Sequence, residues 1–204
     1  MTHLNTSNSE NIMKIVYLHG FGSQGNSAKS EQLRERFGSK HVVAPNLPIN
    51  PRQVKQLIDQ IVSTNTDWPL IFVGTSLGGF YARWAAHHFD CPAVLVNPAV
   101  HPSKTLYQYL GTNTNYATGA KFELTQADLA ELDRMEAESQ GSSGALLHVF
   151  VAQDDTVIPH TDVLAALPHT RHTTVSAKGG HRYESGWPDV VNYIDRVWGA
   201  PDQP

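Results

Sequence analysis

Gly74-Thr75-Ser76-Leu77-Gly78 is the segment of this sequence whose residue types and spacing could do covalent chemistry. It matches Gly-x-Ser-x-Gly, a pattern that lifts a serine hydroxyl clear of the backbone at a sharp turn from strand to helix. The turn crowds the residues two before and two after the serine, so glycine fits at both for steric reasons. Leu70-Ile71-Phe72-Val73 just before it reads as a strand, and Leu77, Phe80, Tyr81, Trp84 and His88 then fall on one face of a helix. Gly79 would let the start of that helix approach a sheet closely. Free N–H groups and the dipole at a helix N-terminus favour negative charge developing beside Ser76.

A serine hydroxyl is a weak nucleophile until a base takes its proton. On a strand–turn–helix scaffold of this kind the expected chain order is serine, then an acid, then histidine. The chain has 11 histidines, and His181 is the one in the right order on a loop, Lys178-Gly179-Gly180-His181-Arg182, whose glycines let an imidazole reach back over a sheet edge. The acid falls in Gln153-Asp154-Asp155-Thr156-Val157-Ile158-Pro159, at the C-terminal end of a strand, where catalytic groups of open α/β sheets gather. Asp155 is preferred over Asp154, which suits a loop acid or cap. The oxyanion of a tetrahedral intermediate needs donors: the Leu77 N–H comes with the elbow, and the Phe21 N–H is the candidate from His19-Gly20-Phe21-Gly22-Ser23. Gly20 and Gly22 allow that loop to bend close to a substrate, and His19 reads as a loop-bracing hydrogen-bonder. His87, His88, His169 and His172 read as surface or helix-packing residues. No carboxylate or thiol stands at ligand spacing from them, so neither metal nor cofactor is expected.

These groups need elements to carry them, and short apolar runs alternate with amphipathic segments from residue 12 to 198. Strands are expected at 12–18, 41–44, 70–75, 93–96, 145–151 and 173–176. Helices are expected at 28–37, 51–63 (with Pro51 in its first turn), 77–88, 161–167 and 188–198. Such alternation implies a mostly parallel sheet of about six strands covered by helices on both faces. Residues 101–141 break the rhythm with Tyr107, Tyr109, Tyr116 and Phe122 in a turn-rich stretch, then a helix from about 126 to 138. They read as a short cap inserted in a single domain spanning 12–204, behind a polar tail at 1–11. Tyr107 is the candidate substrate contact from the cap, beside Gly20 and Gly22 of the loop.

With 204 residues and 40% hydrophobic content the chain can bury one sizeable core. Its net charge of −4 offers no field to draw it to nucleic acid or anionic lipid. The lone Cys91 forms no intrachain disulfide and fits a reducing compartment. The N-terminus lacks the basic start and apolar run of a signal peptide, and no apolar stretch approaches a membrane span. A cytoplasmic protein, monomeric or a small homo-oligomer, is the expectation.

Taken together the chain resembles the α/β-hydrolase superfamily, and more closely the small bacterial esterases of the YqiA type, the UPF0227 group. The resemblance rests on Tyr17-Leu18-His19-Gly20-Phe21-Gly22-Ser23, Asn26-Ser27-Ala28-Lys29, Gly74-Thr75-Ser76-Leu77-Gly78-Gly79-Phe80-Tyr81-Ala82, Asn97-Pro98-Ala99-Val100 and Gly179-Gly180-His181. It implies a serine esterase acting on small acyl esters without metal or organic cofactor, and it supports Asp155 and His181 as partners of Ser76. Asp155 departs locally, being followed by Thr156-Val157-Ile158-Pro159 rather than acidic neighbours. An acyl-CoA thioesterase or small-peptide hydrolase would use the same triad. A binding module on a hydrolase fold need not keep the three residues together.

Overall fold

Residues 13–140 and 144–198 are described by a computed structural model of the chain. Strands β1 (Lys14–Leu18), β3 (Leu70–Thr75) and β4 (Ala93–Val96) are nearly continuous apolar runs, as strands must be when both faces are covered. They pair in parallel with the two-residue β2 (Val42–Val43), with β7 (Leu147–Ala152) and with β8 (His172–Ser176) in the order β2-β1-β3-β4-β7-β8. Alternation sends successive side chains to opposite faces. Val16, Leu18, Phe72, Leu95, Val149 and Val151 pack on one side, where helices α2 (Pro51–Ser63) and α3 (Leu77–Phe89) cover them through Val54, Ile58, Phe80 and Trp84. Ile15, Tyr17, Ile71, Val73, Val96 and Phe150 face the other way, against Leu33 of α1 (Ala28–Phe37) and Trp187, Val190 and Ile194 of α7 (Trp187–Trp198). Helix α6 (His160–Ala166) joins the first side through Val163.

The insertion after β4 holds more regular structure than its sequence announces. A short helix α4 (Pro102–Leu106) leads to an antiparallel hairpin, β5 (Gly111–Thr114) with β6 (Lys121–Leu124), and then to helix α5 (Gln126–Glu138). Helix α5 starts at a capping box in which Thr125 and Asp128 satisfy each other's backbone N–H groups. Leu106, Leu124, Leu129, Leu132 and Met135 sink into the same core as α3. Elsewhere the differences are at ends. The expected strand at 41–44 is a 3₁₀ turn, Ser39–His41, followed by β2, and a second turn at Gly144–Leu146 delays β7 to Leu147. Residues 1–12, which include the expected tail and the start of the expected first strand, lie outside the described residues.

An aromatic cluster at the β7–β8 edge gives a prediction for stability. His148 is buried, its Nδ1 lies 2.6 Å from Tyr193 Oη, and the His172 ring stacks on Tyr193 at 4.4 Å. Burial, then the neighbouring His172 and Arg171, hold the His148 pKa down to about 4. An unfolded histidine takes its proton near pH ~6.5, so between there and pH 4 the unfolded chain binds more protons and stability falls as pH falls. The loss from this group is on the order of 3 kcal/mol by pH 4. His148→Gln should flatten the decline of Tm across that window; an unchanged slope would assign acid lability elsewhere.

Candidate active site

Each residue singled out for chemistry follows the C-terminal end of a strand in the parallel sheet, where open α/β sheets place their ligands. Ser76 follows β3 directly and caps α3 with φ 54° and ψ −121°, a conformation that L-residues rarely adopt. The surroundings leave it no alternative: its N–H donates to the Val96 carbonyl at 3.0 Å, and its carbonyl accepts from Gly79 N at 2.9 Å and Ala99 N at 3.0 Å. The expected crowding is severe. A Cβ on Gly74 would lie 2.1 Å from the Gly78 carbonyl oxygen, and one on Gly78 2.0 Å from that of Leu18. Gly79 likewise lets α3 approach Pro98, whose Cβ would stand 2.8 Å from a side chain there.

The half-buried Ser76 hydroxyl lies 3.0 Å from His181 Nε2, and His181 Nδ1 lies 2.9 Å from Asp155 Oδ2. The Asp155 carboxylate is sealed from solvent, and its other oxygen accepts from Val157 N at 2.8 Å and Ile158 N at 3.0 Å. Burial raises its pKa, but the bonds from His181 and from these two amides outweigh that and leave it below the ordinary carboxylate value. It therefore stabilises the fold above the usual carboxylate range, and that contribution disappears as pH falls through its lowered value. Asp154 does a different job. It is exposed, and its Oδ1 accepts from the Gly180 N–H at 2.7 Å, tethering the loop that carries the imidazole.

Asn97 holds that loop from below, and its sequence gave no sign of this role beyond the run Asn97-Pro98-Ala99-Val100. It follows β4, is buried, and sits at φ 42°. Its Nδ2 donates to the carbonyls of Gly180 at 2.9 Å and His181 at 3.0 Å, while its Oδ1 accepts from Ala152 N at 2.9 Å. One side chain thus joins the ends of β4 and β7 to the histidine loop, 83 and 84 residues away. Spacing cannot announce a contact that the sheet order creates.

The loop after β1 lies against the elbow, since a Cβ on Gly20 would come within 3.3 Å of Ser76 Cβ. His19 braces it: Nε2 accepts from Leu47 N at 2.9 Å, so Nδ1 carries the hydrogen and donates to the Gly20 carbonyl at 2.8 Å. Burial lowers the His19 pKa, in keeping with a neutral ring. A cleft of about 330 Å³, its open mouth included, is lined by Gly20, Phe21, Gly22, Leu47, Ile49 and Leu77 among others. Both candidate oxyanion residues, Phe21 and Leu77, therefore border one cleft. Tyr107 does not: it is 63% exposed and lies outside the cleft lining, where Leu47, Pro48, Ile49, Tyr81 and Asn115 stand instead. Leu47, Pro48 and Ile49 carry no chemistry of their own, so no sequence pattern announces this wall.

The family described as "Uncharacterised protein family (UPF0227)" has a model that matches residues 14–197. The chain belongs to the UPF0227 family. A UPF0227 protein of Shewanella sp. (strain MR-7) is 27% identical over 162 residues, covering 72% of this chain and 89% of that protein. Among solved structures, alpha/beta hydrolase domain-containing protein 10 from mouse superposes with a TM-score of 0.69 at 16% identity, covering 90% of this chain and 88% of that one. A monoacylglycerol lipase of Paleococcus ferrophilus gives 0.63 at 16% identity, covering 88% and 93%. Est1E from Butyrivibrio proteoclasticus gives 0.63 at 13%, covering 93% and 88%. This UPF0227 chain thus has the α/β-hydrolase fold.

Other groups of the UPF0227 chain are poorly placed for catalysis. Burial, then Asp90, pushes the Cys91 thiol up to about 12, so it carries no reactive thiolate. His88 stacks on Trp84 at 4.9 Å and His172 on Tyr193, which are packing roles. Among the described residues no three His, Cys, Asp or Glu side chains gather as a metal site, and no helix is long and apolar enough to cross a membrane.

Proposed function

We propose that this protein is a serine esterase that hydrolyses small acyl esters through an acyl-enzyme. The observation that carries the reading is the unbroken hydrogen-bond chain from Ser76 Oγ through His181 to Asp155. In the first step His181 Nε2 takes the Ser76 proton as Oγ attacks the ester carbonyl carbon. Asp155 keeps the remaining ring proton on Nδ1 and stabilises the imidazolium that forms. The oxyanion is held by the N–H groups of Leu77 and Phe21. His181 then protonates the departing alcohol, leaving acyl-Ser76. Water attacks that ester with His181 again as base, and the carboxylic acid and free serine result. His181 acts as the base in its neutral form, with Nε2 free to accept the Ser76 proton.

The cleft favours a short acyl group. Leu47, Pro48, Ile49 and Leu77 give it apolar walls, and the buried Tyr81 closes one side. Relatives of the fold named as a monoacylglycerol lipase and as Est1E, the latter also solved with ferulic acid, agree with ester chemistry at such a site. A series of nitrophenyl esters from acetate to laurate tests the substrate class. kcat/KM should peak at two to six acyl carbons and fall by about tenfold or more at twelve, because the extra methylenes find no buried surface. A rise toward long chains would overturn the small-acyl assignment.

A further inference from the structure

The cap hairpin closes on the loop that carries Phe21. The Tyr116 N–H donates to the Gly22 carbonyl at 2.7 Å, and Asn115 Nδ2 donates to the Ser23 carbonyl at 2.7 Å. The Phe21 ring lies edge-on to Phe122 at 5.3 Å and tilted against Tyr109 at 5.7 Å. Gly22 sits at φ +64°, and a Cβ there would meet the Tyr116 ring at 3.1 Å. Three consecutive residues, Phe21, Gly22 and Ser23, are thus each held by the hairpin or its approach. Asn115 is itself fixed, for its Oδ1 accepts from Ala117 N at 2.9 Å and Thr118 N at 3.0 Å, while its backbone N–H donates to the Ala120 carbonyl at 2.8 Å. On the other side of the same loop, His19 ties Gly20 to Leu47. The peptide N–H of Phe21 therefore lies between two anchored points, neither of which is part of the elbow.

We propose that the hairpin is a fixed clamp that aims the Phe21 N–H at the oxyanion, with Asn115 as a positioning residue. It is not a lid that opens to admit substrate. The proposal rests on the esterase reading, because an amide needs aiming only where negative charge develops. A free loop would sample many orientations of that N–H, and an oxyanion donor acts only when it is set in place before the charge appears. One such donor is worth about 10²–10³ in rate, and misplacement by ~1 Å removes much of it.

Asn115→Asp separates the clamp from the rest of the hairpin. The aspartate keeps the oxygen that accepts from Ala117 and Thr118 but loses the N–H donated to Ser23, and sets an oxygen against that carbonyl instead. In the full chain, kcat on nitrophenyl acetate should fall roughly tenfold or more while KM stays within about twofold. Amide exchange over residues 21–24 should quicken by about tenfold, with β3 and α3 unchanged. A raised KM at unchanged kcat would show that the hairpin meets substrate rather than aiming a donor, and overturns the proposal. So does unchanged exchange in the loop. A wild-type chain that hydrolyses no ester overturns the esterase reading and the aiming role with it, whereas an active wild type whose variant keeps kcat overturns the clamp alone.

Discussion

Ser76→Ala should lower esterase kcat by at least about 10⁴-fold while the chain remains folded. In the proposed mechanism the hydroxyl is the group that bonds to substrate, so its loss would remove the covalent route and leave only binding and the oxyanion donors. Alanine keeps the Cβ and the same backbone constraint, and Tm should move little. Glycine at this position gives a sharper companion result. The φ of 54° and ψ of −121° at Ser76 are costly for any residue with a side chain. Ser76→Gly should therefore be just as inactive yet more stable, by about 1 kcal/mol. A strained residue that stabilises the fold when removed and abolishes turnover is strain kept for function. Thermal melts of the three proteins, with kcat on one short ester, measure both. Near-normal turnover in either variant would remove Ser76 from the chemistry.

Asp155→Asn should cost about as much, on the order of 10⁴-fold in kcat, through a different cause. Its Oδ1 can still accept from Val157 and Ile158, so the loop after β7 keeps its shape. The amide NH₂ then replaces the oxygen that faces His181 Nδ1 at 2.9 Å. A donor there selects the ring tautomer with its hydrogen on Nε2, which cannot take a proton from Ser76. Asp154→Asn should be mild by comparison, because an amide oxygen still accepts from Gly180. Parallel kinetics of the two variants measure the contrast, and equal losses would contradict the division of labour between these neighbours.

The sequence was most legible where one residue's local chemistry settles its conformation. Pro51 at the start of α2, with Asn50 capping it, and the glycines flanking Ser76 leave few alternatives, and the helices at 28–37 and 51–63 run as expected. It was least legible inside the cap. Gly111-Thr-Asn-Thr and Lys121-Phe-Glu-Leu are too short and too polar to show a period of two, and the hairpin is held by Phe21 and Gly22 from 90 or so residues earlier. Asp154 and Asp155 were both admissible because they are adjacent; which one meets His181 is set by the turn that buries one and exposes the other. Asn97 and the 47–49 wall depend on strand order and on packing, which no local pattern encodes.

The most direct test of the central claim is exposure of the wild-type chain and Ser76→Ala to an alkyl fluorophosphonate, with the site of modification read by peptide mass spectrometry. The expected result is a single phosphonyl adduct on Ser76, formed within minutes and absent from the alanine variant, since only a hydroxyl paired with a base displaces fluoride at that rate. A folded wild-type protein that stays unmodified, or is modified elsewhere, would contradict the esterase account and favour a hydrolase fold that only binds.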